Sequence, residues 1–196
     1  MIPMRLVRRS ALAAVRMLLV LTVLLGVAYP LGVTALGAAL PDRTQGSLLR
    51  HDGAVTGSAL LAAPVEDPAL FHPRPSAVDD PGAQSGGSNL GPRSEDQAAL
   101  VAERRRAVQQ ENPDARGPVP ADALTASGSG VDPHISPAYA AYQVPRVAAE
   151  TGLSPAEVTA LVEEHTDRPV WGVVGQDRVT VTTLNAALAD RVARGR

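Results

Sequence analysis

The longest apolar run in the chain, MLLVLTVLLGVAYPLGVTALGAALP from Met17 through Pro41, holds twenty-five positions without a charged residue. As a helix rising 1.5 Å per residue it extends about 37 Å, more than the roughly 30 Å hydrocarbon core of a bilayer. It is long enough to span a membrane once. The small residues between Ala35 and Ala39 resemble a signal-peptide cleavage site, but the apolar core of such a peptide is only about 7–15 residues, so the run reads as a retained anchor. Pro30 lies inside the span, where its missing N–H removes one backbone hydrogen bond and predicts a kink packed against a partner helix.

Beyond Asp42 the pattern shortens. In RTQGSLLRHDGAVTGSALL, brief apolar runs are separated by Gly46, Gly53 and Gly57, and Asp52-Gly53 is a hairpin signal. A β-hairpin is predicted over 46–61. Residues 62–94 are rich in proline and glycine without periodicity, and read as loop. Ser94 then offers a helix cap, with acids in the first turn, Leu100, Val101 and Val108 on one face and Pro113 beyond the end, which predicts a helix over 95–110. Two more helices are predicted from Pro137 to Thr151 and from Pro155 to His165, each opened by Ser-Pro, the second with a Ser154/Glu157 capping box. The tail gives a strand in VWGVV, a turn at Gly175 to Asp177, a second strand in RVTVT and a helix in LNAALADRV. The reading is a basic N-terminus over 1–16, a transmembrane helix over 17–40 and a mixed α/β (α+β) extracytoplasmic domain over 41–196.

The outward placement comes from charge. Eighteen arginines oppose twenty acidic residues, with no lysine and no cysteine. Arg5, Arg8, Arg9 and Arg16 precede the span and every acid follows residue 41, so the body has fourteen arginines (eighteen less four) against twenty acids, a net of minus six. Arginines ahead of the span put the N-terminus in the cytoplasm and the body outside. A body of that sign repels nucleic-acid phosphates. Lack of lysine removes Schiff-base chemistry and the P-loop cation, and lack of cysteine removes disulfides, thiolate metal sites and cysteine nucleophiles. Arg104, Arg105 and Arg106 lie beside Glu103 and Glu111 and read as a solvated helix face.

Three constellations suggest chemistry. AAETGLSPAEV has helix-turn-helix spacing with Gly152 in the turn, the mark of a membrane-anchored regulator, yet the second helix carries Glu157, Glu163 and Glu164 where base and phosphate contacts need cations. TASGSGVDPHISP, residues 125–137, gathers Ser127, Ser129, Asp132 and His134, the residue types of an anchored serine hydrolase, but without a G-x-S-x-G elbow. His51, His72, His134 and His165 have no metal-ligand spacing. SGGSN at 85–89 and SGSG at 127–130 could present backbone N–H groups to an anion, and neither continues into a P-loop.

GVAYPLGVTALG in the span, GSLL at 46–49, GSALL at 57–61, FHPRPSA at 71–77, SGGSNLGP at 85–92, LTASGSGVDPHISPAYAAYQVPRVA at 124–148 and the closing RVTVTTLNAALAD together resemble the C subunit of the bacterial Kdp potassium-transporting ATPase, the KdpC family. The resemblance implies a non-catalytic accessory subunit, working beside a channel-like potassium-binding subunit, a P-type ATPase subunit and a small hydrophobic peptide. It also implies a catalytic chaperone that raises the ATP affinity of the ATPase subunit, with SGGSN compared to the ABC-transporter signature; ATP is thus the one cofactor implied, without a P-loop to hold it. By resemblance, nucleotide or partner binding falls on Ser85, Gly86, Gly87, Ser88 and Asn89, on Ser127, Gly128, Ser129 and Gly130, and on Asp132, His134, Gln143 and Arg146. No catalytic or metal residue is implied. The glutamine-bearing segment that usually follows GSALL is replaced by AAPVEDPALF, so that residue's role does not carry over. Because ATP is cytoplasmic and the body is read as external, the body is expected to cap the external mouth of the channel-like subunit and to act on ATP affinity conformationally. TASGSGVDPHISP is expected to satisfy local backbone groups, to cap the Pro137 helix through Ser136, and to set YQVPRVA as a docking surface.

Overall fold

A computed structural model describes residues 3–51, 53–78, 84–169 and 171–195. They fall into two compact units, residues up to Ser47 and residues from Leu48 onward.

In the first unit, α1 (Met4–Val23) runs through a π-helical turn (Leu24–Ala28) into α2 (Tyr29–Ala38). Pro30 cannot donate to the carbonyl four residues earlier, and the break it causes takes the form of a widened turn in which the Tyr29 N–H bonds Leu24 O, five residues back. Val7–Ala38, thirty-two residues of mean hydropathy 2.4, is the one stretch among the described residues long and apolar enough to cross a membrane. A short α3 (Pro41–Thr44) follows, and the Thr44 hydroxyl turns back to Gly37 O at 3.1 Å.

The second unit mixes helix and sheet, as the pattern predicted. β1 (Leu48–His51) and β2 (Ala54–Ser58) form the expected hairpin, with Leu48 opposite Ser58 and a register shift between Leu49 and Arg50. Of the turn signal Asp52-Gly53, Asp52 lies outside the described residues, and Gly53 holds φ 80°, which a side chain resists. After an irregular stretch, α4 (Glu95–Glu111) begins at Ser94, whose hydroxyl accepts from the Gln97 N–H. β3 (His134–Ile135) leads into α5 (Pro137–Thr151), then α6 (Pro155–Glu164), β4 (Thr166–Asp167), β5 (Arg178–Thr180) and α7 (Val181–Gly195). The second sheet has β5 at its centre, antiparallel to both β3 and β4.

Two expectations in the tail are corrected. Of VWGVV, Val170 lies outside the described residues and 171–174 form no strand: Trp171 and Gly172 hold φ of 54° and 75°, Gly175 just beyond holds 101°, and Trp171 is 89% exposed. Left-handed backbone interrupts pleating, and a strand with no buried face gains nothing from it. Thr166–Asp167 takes the expected place beside β5. RVTVT also stops pairing at Thr180, because Val181 joins Leu184 and Leu188 on one helical face, all at 1% exposure or less. Burying three such side chains, each worth about 1.5–3 kcal/mol, outweighs extending a three-residue strand.

That face packs with Ile135, Val179, the α5 residues Tyr139, Ala140 and Val147, the α6 residues Val158 and Val162, and Phe71 from the irregular stretch. α5 carries the centre. It absorbs Pro145 without ending, and closes at Gly152 with φ 74° and an N–H bonded to Ala148 O.

Candidate functional site

The two serine-glycine runs, forty residues apart in sequence, are hydrogen-bonded to each other. The Gly86 N–H donates to Ser129 O at 2.8 Å and the Ser85 hydroxyl donates to the same oxygen at 2.9 Å. The buried Ser127 hydroxyl accepts from the Ser129 and Gly130 N–H groups at 3.3 and 3.1 Å, the Val131 N–H reaches Ser129 Oγ at 3.2 Å, and the Ser127 N–H reaches Pro75 O at 2.9 Å. The amides that would cradle an anion at Gly86, Ser127, Ser129, Gly130 and Val131 therefore already have partners. Ser76 ties in the strand of chain before it, donating to Gly130 O at 2.8 Å. Glycine is required by this closeness: a Cβ at Gly87 would stand 3.0 Å from Gly128 O, and one at Gly130 only 2.7 Å from Gly86 O. Ser88 and Asn89 continue past the closure as exposed residues, Asn89 at φ 55°.

Asp132 and His134 meet next to it. Asp132 Oδ1 accepts from the His134 N–H at 3.0 Å and lies 2.9 Å from His134 Nδ1, while Asp132 Oδ2 is 3.5 Å from an Arg74 nitrogen. The Ser127 hydroxyl lies 3.2 Å from that of Ser129, and the His134 ring turns to Asp132. The serine-histidine pair of a hydrolase is not assembled here. Ser136 caps α5 as expected, accepting from the Tyr139 N–H at 3.0 Å, and is itself held by Asp122, a residue the sequence did not single out, at 2.7 and 2.9 Å.

Gln143 and Arg146 are not on a docking surface. They are 0% and 7% exposed, and Tyr142, Val144, Val147 and Ala148 are buried with them. The physical reason is the irregular segment 67–72, which lies against α5 and whose carbonyls and amides there need partners. Gln143 pairs with the His72 backbone in both directions, at 2.7 and 3.1 Å, and Asn185 of α7 does the same for Phe71 at 2.8 and 2.9 Å. The Arg146 guanidinium donates to Pro68 O, to Leu70 O at 2.9 Å, to Asn112 Oδ1 at 3.0 Å and to Gln143 Oε1 at 2.7 Å. Burial pulls its pKa down, opposed by the nearby Glu111 and Tyr139. Glu111 lies 2.7 Å from His72 Nδ1, and that hydrogen bond holds its carboxyl below the ordinary range, against the opposing effect of burial. Asn185 was missed although an isolated amide within an apolar helix was its signal; Glu111 and His72 carried none.

The chain is similar over residues 11–190 to the family model described as KdpC, K+-transporting ATPase, c chain. It is 50% identical to a potassium-transporting ATPase KdpC subunit of Sorangium cellulosum, covering 89% of this chain and 94% of that one. A subunit of the same name from Cereibacter sphaeroides is 48% identical over 92% and 95% of the two chains, and one from Nitratidesulfovibrio vulgaris is 47% identical over 94% and 98%.

The closure and the Glu111–His72 pair each give an expected outcome. Gly130 combines φ +73° with no room for a Cβ, whereas a Cβ at Gly128 meets nothing within 4 Å. Thermal melting of the full chain in detergent should show Gly130→Ala destabilised by more than about 1 kcal/mol and Gly128→Ala within about 0.5 kcal/mol of the parent. For Glu111, a folded pKa below the unfolded one gives stability that is complete above the ordinary carboxylate value and is lost as pH falls through the folded value. Taking the chain from about pH 6 to about pH 3 should therefore lower its melting temperature more than that of Glu111→Gln.

Proposed function

The chain belongs to the KdpC family, the c chain of the K+-transporting ATPase, and from that premise we propose that its body works on the outer face of the complex as a cap over the potassium entrance. It is an accessory, non-catalytic subunit of the Kdp complex, and its function is potassium transport. The match over residues 11–190 is the observation that carries this. The partners we propose are the channel-like potassium-binding subunit, the P-type ATPase subunit and the small hydrophobic peptide.

Charge supports the external placement. Four arginines precede the apolar helix, and the body beyond it has a net charge of minus six from fourteen arginines and twenty acids. An acidic cap raises the local concentration of cations at a pore mouth. In this reading the catalytic-chaperone effect on ATP affinity crosses the membrane as a conformational coupling through the helix and its contacts, with ATP held by the partner. The internal hydrogen bonding of Gly86, Ser129 and Gly130 supports that division, since those amides are engaged within the chain.

A single cysteine in this cysteine-free chain tests the topology. With exposed Glu103 of α4 changed to cysteine, an impermeant thiol reagent should label intact cells as fully as lysed ones; labelling that requires lysis contradicts the placement. In the purified complex, omission of this chain should lower potassium-stimulated ATP hydrolysis.

A further inference from the structure

A cleft of about 330 Å³ lies between segment 62–65, segment 72–76 and α4, near the lower end of the roughly 300–1,000 Å³ range of small-molecule sites. One wall is apolar, formed by Ala63, Val65 and Ala107 among others, and the other brings Arg74, Arg104 and Tyr139 to the same space. In a body with an excess of acids, two guanidiniums on one cleft call for an explanation.

Among the described residues, neither is well matched by the protein. Arg74 Nε is buried with no hydrogen-bond partner among the described residues, and the contacts of the other two nitrogens of Arg74 are long, 3.5 Å to Asp132 Oδ2 and 3.4 Å to Ala126 O. A guanidinium presents five N–H donors in a fixed fork that suits carboxylate and phosphate, and a buried donor without an acceptor is destabilising. Arg104, expected on a solvated face with Arg105 and Arg106, is half-buried instead and donates to a neutral group, Leu124 O, at 3.1 Å. Glu111, the last residue of α4, is engaged by His72. Tyr139 completes that wall, and burial pushes its phenol pKa up.

We propose that this cleft binds a small organic anion, its carboxylate or phosphate taken by Arg74 and Arg104 and its apolar part lying against Ala63, Val65 and Ala107. The ligand is a free molecule of about the size of an aromatic monoacid. A site of this kind gives an accessory subunit an input separate from potassium.

Phenyl phosphate and benzoate are the probes, titrated into the full chain in detergent and followed by ligand-observed NMR. The parent should bind at least one of them, and Arg104→Gln and Arg74→Gln should each weaken binding at least tenfold, while Arg106→Gln, exposed on the same helix, should not change it. Melting curves of the unliganded variants establish that each is folded; if Arg74→Gln is not, Arg104→Gln decides. No binding by the parent, or equal binding by Arg104→Gln and Arg106→Gln, overturns the proposal. Binding by the isolated chain that vanishes in the assembled complex also overturns it, in favour of a partner's carboxylate as the occupant.

Discussion

A buried guanidinium has to be solvated by the protein, and in this body that requirement organises the chain. Arg146, on the central helix α5, is 7% exposed and is met by the carbonyls of Pro68 and Leu70 and the side chains of Asn112 and Gln143. A charge taken out of water at that depth is tolerable only when its donors are matched. Segment 67–72 is thereby held against α5, and with it comes the fully buried Phe71, the one phenylalanine in the chain. Gln143 and Asn185 hold the neighbouring backbone, so an irregular stretch becomes as fixed as a strand without pairing as one.

From there the chain reaches the closure of the serine-glycine runs. Pro75 and Ser76, just past the clamped segment, bond Ser127 and Gly130, and Ser85 and Gly86 bond Ser129. The run that most invites a nucleotide is thus the seam between two loops. Its serines serve as acceptors for the amides of the next turn, and its glycines allow backbones to approach closely. Function in such a subunit lies in what it touches and what it relays, in keeping with a family whose chain does not hydrolyse ATP.

The helices of the body were legible because their starts are written locally: Ser94, Ser136 and Ser154 each cap as the sequence indicates. The hairpin and the apolar span were legible for the same reason. VWGVV reads as a strand because its β-branched residues outweigh, on paper, Gly172 within it and Gly175 just beyond, both of which adopt left-handed backbone. Gln143 and Arg146 were misplaced on a docking surface because their backbone partners lie more than seventy residues away in sequence, and nothing local announces a carbonyl that needs a donor. The pairing of Ser85 and Gly86 with Ser129 was invisible for the same reason, although both runs had been singled out. Resemblance marked the two runs, and only the fold shows that they are hydrogen-bonded to each other.

If the serine-glycine seam is internal structure, its amides are engaged before any ligand arrives, and amide hydrogen exchange measures that directly. In the full chain, and again in the assembled complex, the amides of Gly86, Ser129, Gly130 and Val131 should be protected without nucleotide and unchanged when ATP is added. Rapid exchange that slows only when ATP is present would contradict it, and would return the seam to the role of a nucleotide cradle.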